Sequence, residues 1–121
     1  MRQSLQGRTI LVVEDDYIAA LDLKQMIEER GGTVVGPAGR LAPARTLAQS
    51  EAFDAAILDV KLDGELTLAL ADDLIAQGVL VVLSTGYETA MLPDRFAKTP
   101  RLSKPFSDSS LDGLARRIFG D

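Results

Sequence analysis

The sequence predicts an α/β domain, a doubly wound parallel sheet of five strands with helices on both faces. Three observations predict it. Apolar runs of about five residues or fewer recur between longer amphipathic stretches. The runs are continuous rather than alternating, the mark of strands covered on both faces. The connections are short and several carry glycine, as the right-handed crossovers of parallel strands require.

Each element follows from its own residues. Ile10-Leu11-Val12-Val13 is strand one, and Ala19, Ala20, Leu23, Met26 and Ile27 form the apolar stripe of helix one. Glu28-Glu29-Arg30 lies near the end of that helix, and Gly31-Gly32 stops it. Val34-Val35 is strand two, and Leu41, Ala44, Leu47 and Ala48 mark helix two, with Pro43 tolerated in its first turn. Ala55-Ala56-Ile57-Leu58 is strand three. Leu66, Leu70, Leu74 and Ile75 predict helix three, closed by Gly78, and Val79 to Leu83 is strand four. From Glu88 to Thr99, Pro93 interrupts any helix, so a short or irregular fourth helix is expected. Arg101-Leu102-Ser103 is the fifth strand. In the last helix Leu111, Leu114, Ala115 and Ile118 share a face, Ser107 is the N-cap, Phe106 staples onto Leu111, and Gly113 costs about 1 kcal/mol relative to alanine.

Composition narrows the chemistry. The 121 residues suit one domain, 1–121, with 46% hydrophobic content and no internal repeat or linker. The net charge of −5 disfavours nucleic acid and anionic membranes, whose phosphates demand cations. Without cysteine or histidine there is no disulfide framework, thiolate nucleophile, catalytic triad or imidazole metal site. Carboxylates, hydroxyls and lysine remain. No apolar run reaches membrane-spanning length, and Met1–Arg8 lacks the apolar stretch of a signal peptide, so the expected compartment is the cytoplasm.

The chemistry-bearing residues fall after predicted strands, where an open α/β sheet places its ligand crevice. Glu14-Asp15-Asp16 follows strand one, Asp59 ends strand three, Thr85-Gly86 ends strand four, and Lys104-Pro105 follows strand five. With strand one central, between strands two and three, Glu14, Asp15 and Asp59 converge. Two such charges about 4 Å apart repel by roughly 4 kcal/mol at an effective dielectric near 20. A hard divalent cation, Mg²⁺, and Lys104 are the natural compensation. Asp59 beside that cation is placed to attack phosphorus. Taken singly the residues have plainer readings: Asp59 capping a turn, Asp16 capping helix one through its dipole, Lys104 as a surface lysine, Leu21 as a scattered exposed leucine or part of a partner surface.

Together the motifs resemble the receiver domains of bacterial two-component response regulators. The resemblance runs in chain order over nearly the whole length: Leu11-Val12-Val13-Glu14-Asp15-Asp16, Leu58-Asp59-Val60-Lys61-Leu62-Asp63-Gly64, Ser84-Thr85-Gly86-Tyr87 and Lys104-Pro105-Phe106. It implies a flavodoxin-like (βα)5 fold with strand order 2-1-3-4-5. Asp59 would be the phospho-acceptor, Asp15 a direct Mg²⁺ ligand, Glu14 a ligand through water, and the Lys61 carbonyl the last protein ligand. It makes Thr85 the switch hydroxyl with Gly86 beside it and Lys104 the phosphate-pairing lysine, and marks Lys104-Pro105 as a cis-peptide candidate. The side chains of Lys61 and Tyr87 would flank the phosphoryl group and modulate access of water.

A narrower likeness is to alphaproteobacterial single-domain receivers, whose fourth strand ends Phe-Ala-Thr-Gly followed closely by Tyr. Val34 to Ala38 and Asp63-Gly64-Glu65 share it, while Leu83 and Ser84 depart from it. Arg101 stands where many receivers carry an aromatic rotamer switch. The resemblance implies signalling rather than metabolic catalysis. A sensor histidine kinase or histidine phosphotransfer protein would donate the phosphoryl group, and a downstream protein would read the surface around residues 85–106. Two rivals are an aspartate-nucleophile phosphatase, against which Lys61 stands where an Asp-x-Asp motif needs acid, and an interaction module that never carries phosphate.

Overall fold

The computed structural model describes residues 4–62, 65–86 and 92–120. In chain order the elements are β1 (Thr9–Val13), α1 (Tyr17–Glu29), β2 (Thr33–Ala38), α2 (Leu41–Ser50), β3 (Ala55–Asp59), β4 (Lys61–Leu62), β5 (Glu65–Leu66), α3 (Leu68–Ala76), β6 (Leu80–Thr85), β7 (Arg101–Ser103) and α4 (Asp108–Phe119). The five-stranded sheet runs β2-β1-β3-β6-β7, every neighbouring pair parallel. With the small β4–β5 pair set aside, this is the expected 2-1-3-4-5 order, with β1 inside the sheet between β2 and β3.

Strand periodicity divides the core between the two faces. Leu11, Val13, Ala56, Leu58, Val81 and Leu83 pack with Ala44 of α2 and with Leu70, Ala71 and Leu74 of α3. The alternate residues Ile10, Val12, Ile57, Val82 and Leu102 pack with Leu23 and Ile27 of α1 and with Leu111, Leu114 and Ala115 of α4. Burial of β3 on both faces explains why its sequence shows no alternation.

The helix ends follow the residues that predict them. Gly31, at φ +85°, closes α1: its N–H donates to the Glu28 carbonyl and that of Gly32 to Ile27, so the last carbonyls are satisfied. Ser107 caps α4, accepting from Ser110 N–H at 3.2 Å.

Two features depart from expectation. Helix three starts at Leu68, not Leu66, because Leu66 pairs with Lys61 across the β4–β5 hairpin and is 60% exposed. Its four-residue spacing from Leu70 reflects no shared helix face. The hairpin itself went unforeseen, since two-residue strands are too short to show a period. Between β6 and β7 the described part of the irregular segment is a 3-10 turn at Asp94–Phe96, whose Phe96 is buried against the α2–α3 side of the core. Among the described residues no helix is long and apolar enough to cross a membrane.

Candidate phospho-acceptor site

The crevice is assembled from the C-terminal ends of β1, β3, β6 and β7. Parallel strands bring these ends to one edge: Val13 lies beside Leu58, Asp59 beside Ser84, and Thr85 beside Ser103. The residue after β1, Glu14, is tied to β2 through its N–H, which donates to the Ala38 carbonyl at 2.9 Å. Asp16 caps α1, its Oδ1 accepting from Ile18 N–H at 3.0 Å and Ala19 N–H at 3.1 Å. The capping role left open by the sequence is therefore the one Asp16 fills, and its own N–H holds Glu14 Oε2 at 2.9 Å.

Carboxylate oxygens of Glu14, Asp15 and Asp59 all lie within 4.8 Å of one another. Glu14 and Asp59 are buried and Asp15 is exposed. Lys104 follows the edge strand β7, its Nζ donating to Asp59 Oδ2 at 2.8 Å and standing 2.7 Å from Glu14 Oε1 as an ion pair. The other Asp59 oxygen, Oδ1, accepts from Lys61 N–H at 3.2 Å. The Lys61 side chain is exposed, as is Gly86, and the Lys104–Pro105 peptide is cis. Tyr87 lies outside the described residues.

The electrostatics show the strain of this gathering. Burial, opposed by Lys104 and the Asp16 N–H and reinforced by Asp59, pushes the Glu14 carboxyl up to about 7. Burial alone would lower Lys104, but hydrogen bonds and charge from Asp59 and Glu14 overcome it and raise the amine above its ordinary value. The Thr85 hydroxyl is buried at the strand end with no hydrogen-bond partner among the described residues, and so is that of Ser84. A buried hydroxyl without a partner costs roughly 1–3 kcal/mol, a price natural folds rarely carry away from functional sites. Carboxylate oxygens gathered this closely are the hard, all-oxygen donor set that suits Mg²⁺.

A residue that sequence reading missed is Thr67. Fully buried at the start of α3, it donates its hydroxyl to the Asp59 carbonyl at 2.7 Å. A threonine just before a helix signals an N-cap, but nothing in the spacing tells that the hydroxyl turns back to the strand.

Comparison with known proteins agrees with this geometry. No protein-family model matches the sequence. The mycobacterial transcriptional regulatory protein PdtaR, from Mycobacterium tuberculosis, is 30% identical over 108 residues, 86% of this chain. The chain spans about half, 53%, of that relative's length. SdrG from Sphingomonas melonis is 32% identical in solution structure, covering 96% of this chain and 98% of its own, with a TM-score of 0.84. The chain belongs to the response-regulator receiver domains. The fold is also shared by the receiver domain of sensor histidine kinase PA1611 from Pseudomonas aeruginosa, at 22% identity and a TM-score of 0.77, covering 95% and 99% of the two chains. That receiver was solved with a magnesium ion coordinated in its active-site cleft. Receivers are signalling modules of phosphorelays, and the acidic cluster of this receiver has the make-up of a metal and phospho-aspartate site.

Proposed function

We propose that residues 1–121 form one receiver domain in which Asp59 accepts a phosphoryl group from a phosphohistidine. The donor would be carried by a sensor histidine kinase or a histidine phosphotransfer protein in the cytoplasm. The observation that carries this reading is the union of three carboxylates and Lys104 around the end of β3, with the Thr85 hydroxyl one strand away buried and, among the described residues, unpaired. An Asp59 carboxylate oxygen forms a bond to phosphorus. The P–N bond of the donor breaks, its electron pair leaving on the imidazole nitrogen.

Asp15, Asp59 and the Lys61 carbonyl would hold Mg²⁺, with Glu14 acting through water. Bound there, the ion neutralises charge on the equatorial oxygens of the transferring group. Lys104 is already seated on Asp59 and can follow a phosphoryl oxygen without leaving the site. Thr85 supplies a donor with no partner among the described residues, and drawing it inward links phosphorylation to the surface from Thr85 to Phe106, where a downstream protein would bind. Lys61 and Tyr87 would modulate access of water. A groove of about 810 Å³ beside the site, lined among others by Ile18, Ala19, Pro105 and Phe106, offers the donor an approach to Asp59. Tyr17, Ile18 and Leu21 are exposed on the helix that borders it.

The test is phosphorylation by acetyl phosphate in Mg²⁺, read by intact-mass spectrometry and peptide mapping. One acid-labile phosphoryl group is expected on the peptide containing Asp59 and none on Asp59→Asn. Modification that persists in the variant would refute the assignment.

A further inference from the structure

We infer that Thr67 is a positioning residue for phosphoryl transfer: its hydroxyl fixes the backbone that carries the Asp59 carboxylate and leads into Lys61. The inference rests on Asp59 being the acceptor and goes on to say what holds it in place.

The two peptide planes that follow the acceptor are pinned at both ends. In the first, the Asp59 carbonyl accepts from Thr67 Oγ1 at 2.7 Å, while the Val60 N–H donates to the Ser84 carbonyl at 3.2 Å. In the second, the Val60 carbonyl accepts from Thr67 N–H at 3.0 Å and from Thr67 Oγ1 at 3.2 Å, while the Lys61 N–H donates to Asp59 Oδ1 at 3.2 Å. Thr67 thus supplies the carbonyl anchor of both planes. With those planes held, the Lys61 Cα from which its carbonyl departs is set in place. So is the N–H that orients one oxygen of the acceptor.

The hydroxyl does this instead of its ordinary work. Thr67 occupies the N-cap of α3, yet makes no side-chain capping bond. A threonine at that place usually accepts from the first free N–H groups of its helix, worth about 1 kcal/mol. Here the side chain faces back toward β3 and is fully buried. A β-branched side chain has few rotamers, so the donor is rigidly aimed. The antiparallel pairing of β4 with β5 sets Lys61 beside Leu66 and so places Thr67 directly after the strand that faces Lys61. The nearest alternative role, stabilising the loop alone, would affect folding and leave the chemistry of the folded protein intact.

The experiment compares wild type with Thr67→Val and Thr67→Ser, all folded by circular dichroism. Each is measured for Mg²⁺ affinity by fluorescence or NMR titration and for the phosphorylation rate constant at saturating acetyl phosphate and Mg²⁺. Removing the hydroxyl in Thr67→Val is expected to weaken Mg²⁺ binding about tenfold, as loss of a group that orients a ligand does. The rate constant should fall on the order of tenfold or more through misplacement of the nucleophile. Thr67→Ser restores both. Asp112→Asn, placed far from this loop in sequence and in its contacts, is expected to lower stability without moving either readout. If Thr67→Val fails to fold, Thr67→Ala takes its place. Wild-type Mg²⁺ affinity and rate in the hydroxyl-free variant would overturn the inference. A wild type that is never phosphorylated would instead overturn the assignment of Asp59, and the Mg²⁺ affinities would still decide what Thr67 does.

Discussion

Two clusters of buried charge in this receiver differ in how completely their members are satisfied. At the end of α1, Arg30 is 0% exposed yet fully engaged. Its Nε donates to Asp112 at 2.7 Å, one Nη to Asp108 at 2.9 Å, and the other to the Met26 carbonyl at 2.8 Å, while Ser4 Oγ donates to the same Asp112 carboxylate at 3.0 Å. Around Asp59 the balance is reversed. Acids gather about Lys104, Glu14 is driven toward its neutral form, and the hydroxyls of Thr85 and Ser84 have no partner among the described residues. The first cluster joins the end of α1 to α4 and serves structure. The second, among the described residues, leaves two buried hydroxyls without hydrogen-bond partners, which a phosphoryl group can supply. Burial of charge is common to both; only incomplete satisfaction marks the functional one.

The largest effect should come from breaking the satisfied cluster. Asp112→Ala removes the partner of Arg30 Nε and leaves a buried guanidinium short of a counter-charge. A loss of about 3 kcal/mol is expected, at the lower end for a broken buried pair because Asp108 remains. Urea denaturation should show it as a lower midpoint with an unchanged slope. The folded variant should take up phosphate at the wild-type rate. A stability change within experimental error would mean that the Arg30 cluster contributes nothing beyond its neighbours.

The unsatisfied cluster should respond in the opposite sense. Glu14→Gln removes a desolvated acid from a crowded site, so the metal-free protein is expected to gain about 1 kcal/mol while Mg²⁺ binding weakens. The same group sets a pH dependence. Unfolded, it titrates near 4.5; folded, near 7, so between those values the folded protein holds the extra proton and metal-free stability falls as pH rises. Melting temperatures in a chelator should decline across that window in the wild type and less steeply in Glu14→Gln. A wild type whose stability rises from pH 5 to 7 under those conditions, with the slope unchanged in the variant, would remove Glu14 from this role.

The difference between the clusters also marks how far the sequence could be read. The sheet was legible because its strands are apolar on both faces and its helices end at Gly31-Gly32 or begin at Ser107. The acids, Thr85 and Lys104 were legible by their places after strands, since parallel pairing brings strand ends together whatever the intervening lengths. Arg30 was not: nothing in Glu28-Glu29-Arg30 distinguishes a surface cation from one that folds back to meet Asp108 and Asp112, 78 and 82 residues later. Thr67 was hidden for a related reason. Its residue type predicts the place it holds at the helix start, whereas the direction of its hydroxyl depends on a hairpin too short to leave a pattern.

The smallest effect sharpens the comparison by strengthening one region and leaving the other alone. Gly113 follows Asp112 within α4, and a Cβ placed on it would meet, beyond its own helix backbone, no atom of the described residues within 4 Å. Alanine there loses no packing, has less freedom in the unfolded chain and favours the helix, so Gly113→Ala should stabilise by about 0.5–1 kcal/mol. If the satisfied cluster is only scaffold, the rise in denaturation midpoint will come with unchanged Mg²⁺ affinity and an unchanged phosphorylation rate. A shift in either would show that the rigidity of α4 reaches the acid site through the short connection from Lys104 to Ser107. The division between a structural cluster and a functional one would then have to be redrawn.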